Sequence, residues 1–103
     1  MLGAARRAVA LTDTATRADL EPDDVLALAL VRLLEILGEA AKGVSPETKA
    51  EYEHLPWSQM AATRDRLIHG YFSVDLDIVW QIVRVDLPPV IAELEQMVTK
   101  LEP

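Results

Sequence analysis

The chain has 103 residues, no cysteine and a formal net charge of −7. This length favours a single domain over residues 1–103, and the lack of cysteine excludes disulfides and thiolate metal ligands. The negative charge excludes a nonspecific nucleic-acid coat, because such binders gain affinity from cationic contacts with phosphates. We expect a cytoplasmic protein without a membrane span: no secretion signal is apparent, and charged residues interrupt the longest apolar stretch.

Helical signals dominate the chain and predict an all-α bundle of four or five helices. A first amphipathic helix is predicted from Leu2 to Thr12, followed by a polar connection over residues 13–23. The second helix should run from about Asp24 to Lys42. The proline and acidic pair before it favour a helix start, and Gly43 favours a stop.

Two shorter segments follow the second helix. Ser45 and Pro46 are typical of a capped helix start and predict a short helix that ends near Tyr52. A further helix is predicted from Trp57 to about Ile68, with Gly70 as a terminator just beyond it.

The last helical region should begin after the acidic residues Asp75 and Asp77. Its apolar positions recur in alternating steps of four and three: Val83, Leu87, Val90, Leu94, Met97 and Leu101. Because this rhythm continues through Pro88 and Pro89, we predict one long helix that is kinked or locally broken near the prolines.

The second helix has an unusual distribution of side chains. Val25 to Val31 is apolar at every position, which predicts burial on all sides. Further along, a narrow polar stripe recurs at helical spacing: Arg32, Glu35, Glu39 and Lys42. The stripe indicates either a solvated edge with local ion pairs or the wall of a dimer cleft, in which Glu35 or Glu39 orients an arginine.

The most reactive stretch places Arg64, His69 and Tyr71 in the pattern R-x-x-x-x-H-x-Y. An imidazole exchanges protons near neutral pH, and a guanidinium offers planar donors that fit a phosphate. Residues five apart on a regular helix are about 140° apart around its axis, so Arg64 and His69 would not share a face. Either the helix ends near His69, or two protomers share the site.

The run from Arg64 to Asp75 resembles the signature of HepT-like toxins of the HEPN superfamily. The resemblance extends to four flanking stretches, at residues 33–41, 55–57, 78–80 and 86–88, and so covers nearly the whole chain. It implies a helical HEPN-like bundle that forms a two-fold symmetric homodimer, with both motifs lining one shared cleft.

The same resemblance implies metal-independent cleavage of RNA, with Arg64 and His69 as the catalytic pair. His69 would act as general acid or base, and Arg64 would bind the phosphate and stabilise charge in the transition state. Asp65, where many relatives carry asparagine, would orient a neighbour or set the geometry of the cleft. Arg66 is either a phosphate contact or a solvated helix residue.

The resemblance also implies a partner, because HepT-like toxins are encoded beside a small nucleotidyltransferase antitoxin. In this family the motif tyrosine, here Tyr71, can be modified with AMP. Added AMP would bring bulk and negative charge into a site that must bind RNA, which would block it.

Other interpretations remain open. The chain could be a non-catalytic module that binds a nucleotide or a nucleotidyltransferase partner, which its acidic composition suits, or simply a structural helical dimer. His69 could be a helix C-terminal cap, and Tyr71 a packing residue. We expect no cofactor and no structural metal, because two histidines among scattered carboxylates form no recognisable ligand set.

Overall fold

A computed structural model describes residues 1–21, 24–69 and 73–101. The helices and strands occur in this order: α1 Leu2–Thr12, a 3₁₀ turn Arg17–Asp19, α2 Val25–Lys42, α3 Pro46–Glu51, α4 Trp57–Ala61, α5 Thr63–Leu67, β1 Ile68–His69, β2 Ser73–Val74, α6 Leu76–Gln81, a π-helical segment Ile82–Asp86 and α7 Leu87–Leu101. The all-α prediction is confirmed. Besides helices, the described residues include an antiparallel pair of two-residue strands.

Helix α2 is the centre of the bundle, and it packs against α1, α4 and α5, while α7 packs against α1. The predicted bounds of α1 are confirmed, and α2 ends at Lys42 as expected. At its start, Asp24 Oδ1 accepts a hydrogen bond of 2.7 Å from the Val25 N–H. The largest fully buried side chains form the core: Leu30, Leu34, Leu37, Leu67, Val79, Val83 and Leu94.

The prediction that residues 25–31 are buried on all sides is wrong for the single chain. Val25 is 78% exposed and Leu28 is 59% exposed, whereas Ala27 and Leu30 on the opposite side are buried. An uninterrupted apolar run gives no periodicity, so it cannot indicate which side of a helix is covered. The covered side of this run belongs to the hydrophobic core.

The polar stripe on α2 forms local ion pairs. Arg32 Nη1 lies 3.4 Å from Glu35 Oε2, and Lys42 Nζ lies 3.7 Å from Glu39 Oε1. Both pairs have the i, i+3 spacing, which contributes about 0.2–0.5 kcal/mol on an exposed helix surface. The ion pairs of the first interpretation are present in the single chain, and the dimer-cleft interpretation stays a prediction.

The helix predicted from Trp57 to Ile68 is interrupted at Ala62 and ends one residue early, at Leu67. The Thr63 hydroxyl donates to the Gln59 carbonyl at 3.1 Å, and a side chain that bonds this carbonyl competes with the helical ladder. The interruption lies against Gly38 of α2: a Cβ atom there would meet the Met60 carbonyl oxygen at 3.2 Å. Glycine therefore allows the broken segment to approach α2 closely.

Residues 76–101 form one continuous helical region whose middle, Ile82–Asp86, is π-helical. The Leu87 N–H donates to the Ile82 carbonyl, five residues earlier, which widens the turn directly before Pro88 and Pro89. A proline ring clashes with the carbonyl four residues before it, and both of those carbonyls lie in the π segment. The prediction of one long helix is confirmed, and the π segment is the local irregularity expected near the prolines.

Polar contacts tie this long helical region to the start of the chain. Arg84 Nη1 donates to Thr12 Oγ1 at 3.1 Å and to Asp13 Oδ1 at 3.0 Å, so the π segment is fastened to the end of α1. In α7, Glu95 pairs with Arg6 of α1 at 3.1 Å. Within the described ranges, no helix has the length and hydropathy needed to cross a bilayer.

Candidate active site

The motif lies where α5 gives way to the small hairpin. Arg64 is in α5, and His69 is in β1. Ile68 pairs with Val74, and His69 with Ser73. Because the helix ends at Leu67, His69 does not continue the helical spiral of Arg64. This arrangement matches the first of the two alternatives drawn from the spacing, in which the helix ends near the histidine.

The sequence positions this segment through burial on one side and a backbone bond on the other. Thr63 and Leu67, one helical turn apart, are both buried and face the core that includes α2. The Leu67 carbonyl accepts a hydrogen bond of 2.8 Å from the Asp75 N–H, which closes the hairpin onto the end of α5. The hairpin therefore leaves a fixed point of the core and returns to it.

Asp75 also starts the next helix. Its Oδ1 accepts hydrogen bonds from the N–H groups of Asp77 at 3.0 Å and Ile78 at 3.1 Å, as an N-cap residue does. The Arg17 Nε lies 2.7 Å from Asp77 Oδ1 and joins the first turn of α6 to the 3₁₀ turn.

The described structure locates the backbone of the catalytic pair but does not test the pair itself. The side chains of Arg64 and His69 lie outside the described part, and so do Gly70 and Tyr71 altogether. Asp65 is exposed on α5. The convergence of Arg64 with His69 and the modification of Tyr71 therefore stay predictions.

Arg66 faces a carboxylate of the long C-terminal helical region. Its Nη2 lies 3.5 Å from Asp86 Oδ2, and both side chains are a little over one-third exposed. A phosphate that approached Arg66 would have to compete with Asp86 for the guanidinium.

Arg66 and Asp86 border a groove of about 570 Å³ between α4–α5 on one side and the π segment and α7 on the other. Its floor is apolar and includes Leu37, Met60, Ile82, Leu87 and Val90. A second pair, His54 Nε2 and Glu93 Oε2 at 2.6 Å, also lines the groove. The sequence gives no sign of this pair, because the two residues are far apart in the chain and share no local pattern.

Among the described residues, no group of three His, Asp or Glu side chains comes together as a metal-binding cluster. The polar side chains that the structure does bring together form salt bridges and helix caps. These contacts hold the helices around the motif in place.

Comparison with known proteins places the chain in a family. A family profile described as "Ribonuclease HepT-like" matches residues 1–97. The chain is 41% identical over 69 residues to a protein of Thermococcus cleftensis named "Probable ribonuclease HepT", a match that covers 67% of this chain and 63% of that protein. No solved structure matches the chain.

Two further relatives are named as candidate RNases. One, from Caldanaerobacter subterraneus subsp. tengcongensis, is 40% identical over 83 residues, which is 81% of this chain and 70% of the relative. The other, from Methanocaldococcus jannaschii, is 38% identical over 74 residues, which is 72% of this chain and 64% of the relative. Several of the matched stretches thus span less than two thirds of the relatives' own length.

The protein is an all-α domain that carries an R-x-x-x-x-H segment at the junction of a helix and a hairpin. Within the class of all-α domains, the chain belongs to the HepT-like family of the HEPN superfamily.

Proposed function

We propose that the chain is an endoribonuclease that cleaves RNA without a metal ion, using Arg64 and His69. The observation that carries the proposal is the end of α5 at Leu67, directly before the hairpin that contains His69. This turn removes His69 from the helical path that would hold it away from Arg64. The family profile and the names of the relatives support the same activity.

The proposed reaction uses the ribose 2′-OH as nucleophile. His69 removes its proton, the 2′ oxygen forms a bond to the adjacent phosphorus, and the bond to the 5′ oxygen breaks. The leaving 5′ oxygen takes up a proton from water, and His69 returns its extra proton to solvent. The upstream product ends in a 2′,3′-cyclic phosphate. Arg64 binds the phosphate and stabilises the negative charge that develops on it. Asp65 and Arg66 have supporting roles: Asp65 orients a neighbour, and Arg66 fixes α5 to Asp86.

The active form is proposed to be a two-fold homodimer with a shared cleft. Support comes from the exposed apolar side chains of Val25 and Leu28, which a second copy would remove from water. Two motifs in one cleft would also double the cationic groups available to a substrate that the net charge of −7 repels.

The chain is further proposed to be the toxin of a toxin–antitoxin pair in the cytoplasm, with a nucleotidyltransferase antitoxin as its partner. Transfer of AMP to the Tyr71 hydroxyl would inhibit the toxin by placing a phosphate and a base beside His69. The support for this regulation is the family membership and the place of Tyr71, two residues after His69.

The decisive experiment is cleavage of total cellular RNA by the purified, unmodified chain in EDTA. We expect the parent protein to cleave and His69→Ala to lose at least about 100-fold in rate, as removal of a general acid or base does. The chain supplies a matched control in its other histidine, because His54→Ala removes an imidazole from the groove and leaves the motif intact.

The His54→Ala control should cleave at nearly the parent rate, and product ends should carry 2′,3′-cyclic phosphate. Equal cleavage by His69→Ala and the parent would overturn the assignment of His69. No cleavage by a folded parent, shown by mass to lack AMP, would overturn the proposed activity.

A second candidate function is a non-catalytic module that binds a nucleotide or a nucleotidyltransferase. The observation in its favour is the acidic surface, together with the pairing of Arg66 with Asp86, which engages one of the cations near the motif. Tight complex formation with the nucleotidyltransferase, without RNA cleavage by the free chain, would favour this function.

A further inference from the structure

The segment that carries His69 is held at both ends by one residue pair. Leu67, before the segment, is fully buried at 0% exposure, and its carbonyl accepts the Asp75 N–H at 2.8 Å. Between these residues, the two-residue strands pair His69 with Ser73. Leu67 is thus held by the core, and the orientation of the Asp75 peptide sets how the end of the hairpin bonds to Leu67.

The orientation of that peptide is fixed in turn by the Asp75 side chain. One carboxylate oxygen accepts the N–H groups of Asp77 and Ile78, and the Asp75 carbonyl accepts the Val79 N–H at 3.1 Å. These bonds commit Asp75 to the first turn of α6. Asp75 therefore belongs to two structures at once: its side chain caps α6, and its N–H closes the hairpin.

We propose that Asp75 is a positioning residue for His69. By capping α6, its carboxylate holds the N–H that closes the hairpin onto Leu67, and so sets the place of His69 relative to α5. The inference rests on the proposed function for its consequence in catalysis, but its structural content is independent of cleavage.

Three variants separate positioning from general stability. Asp75→Ala removes both capping bonds, whereas Asp75→Asn keeps an oxygen acceptor at the same place without the charge. The matched control is Asp24→Ala, which removes the N-cap of α2, a bond of 2.7 Å to the Val25 N–H, in another part of the bundle. Both alanine variants should lower the unfolding temperature by a similar amount.

The first measurement is hydrogen–deuterium exchange of the hairpin amides. In Asp75→Ala we expect the amide of residue 75 and those of β2 to exchange about tenfold faster or more, because local opening becomes easier. Asp75→Asn and Asp24→Ala should keep the exchange of the parent at these positions. Equal protection in Asp75→Ala and the parent would overturn the inference, whether or not the chain cleaves RNA.

The second measurement is cleavage kinetics, at a temperature where every variant is folded. Asp75→Ala should lower kcat by about tenfold or more with KM nearly unchanged, because a displaced catalytic group impairs the reaction more than binding. Asp75→Asn should restore most of kcat, and Asp24→Ala should retain it. Parent-like kcat in Asp75→Ala, or failure of Asp75→Asn to restore it, would overturn the proposed role. No cleavage by the parent would defeat the proposed function alone, and exchange would still decide the inference.

Discussion

The bundle core and the motif region are built at different scales. Helices α1, α2 and α7 have 11, 18 and 15 residues, whereas the motif lies in a five-residue helix and a two-residue strand. Long helices gain stability by burying an apolar face, but a single turn of helix is unstable without contacts to the rest of the protein. The conformation of the motif segment therefore depends on the hydrogen bond between Leu67 and Asp75 and on the close contact at Gly38.

The largest effect is expected from the core. Leu34 lies in the middle of α2 at 0% exposure, so Leu34→Ala should lower the free energy of unfolding by about 3 kcal/mol through lost burial and a cavity. Chemical denaturation measures the loss. Cleavage should persist wherever the variant is folded, because Leu34 anchors the bundle and lies outside the motif. A loss below about 1 kcal/mol would contradict this account of the core.

A smaller but more specific effect is expected where the two regions meet. Gly38→Val would place side-chain atoms against the Met60 and Ala61 carbonyls, 3.2 and 3.6 Å from a Cβ at this position. The overpacking should cost about 1–3 kcal/mol and displace α4 and α5, so cleavage should fall even in folded protein.

Gly3→Ala is the matched control for Gly38, because a Cβ at position 3 of the chain meets nothing within 4 Å. This change in α1 should leave cleavage intact and raise stability by up to about 1 kcal/mol through helix propensity. Parent-like stability and cleavage in Gly38→Val would show that the junction is not set by the close contact.

The smallest effect on folding is expected on the exposed side of α2. Leu28→Ser should change the free energy of unfolding of the single chain by less than about 0.5 kcal/mol, since Leu28 is 59% exposed. The same change should weaken self-association if a second copy covers this side. Light scattering gives the mass: a parent that stays at 11.4 kDa across micromolar concentrations has no stable dimer.

Local signals in the sequence predict the bundle well. The bounds of α1, the Ser45 cap of α3 and the disturbance near Pro88 and Pro89 all follow from periodicity and from the chemistry of helix ends. The covered side of residues 25–31 does not follow, because it depends on what packs against α2 and the run itself has no polar marker.

The motif region is less predictable for a related reason. The interruption at Ala62 depends on the approach of α2 at Gly38, and the hairpin depends on the bond between Leu67 and Asp75. The first is a contact between segments that are far apart in the chain. The second joins residues only eight apart, but a backbone hydrogen bond between them leaves no pattern in the side-chain types. The R-x-x-x-x-H pattern predicts which residue types react, but the contacts that hold them come only from the fold.

The π segment has a consequence for how α7 can change relative to the rest of the protein. One extra residue in a helix is absorbed there as a widened turn, since the Leu87 N–H reaches back to Ile82. Without this widened turn, the extra residue would rotate the apolar stripe of α7 by about 100° against α6. The stripe would then turn away from α1, against which α7 packs. The π segment therefore keeps the apolar sides of α6 and α7 directed at the same core.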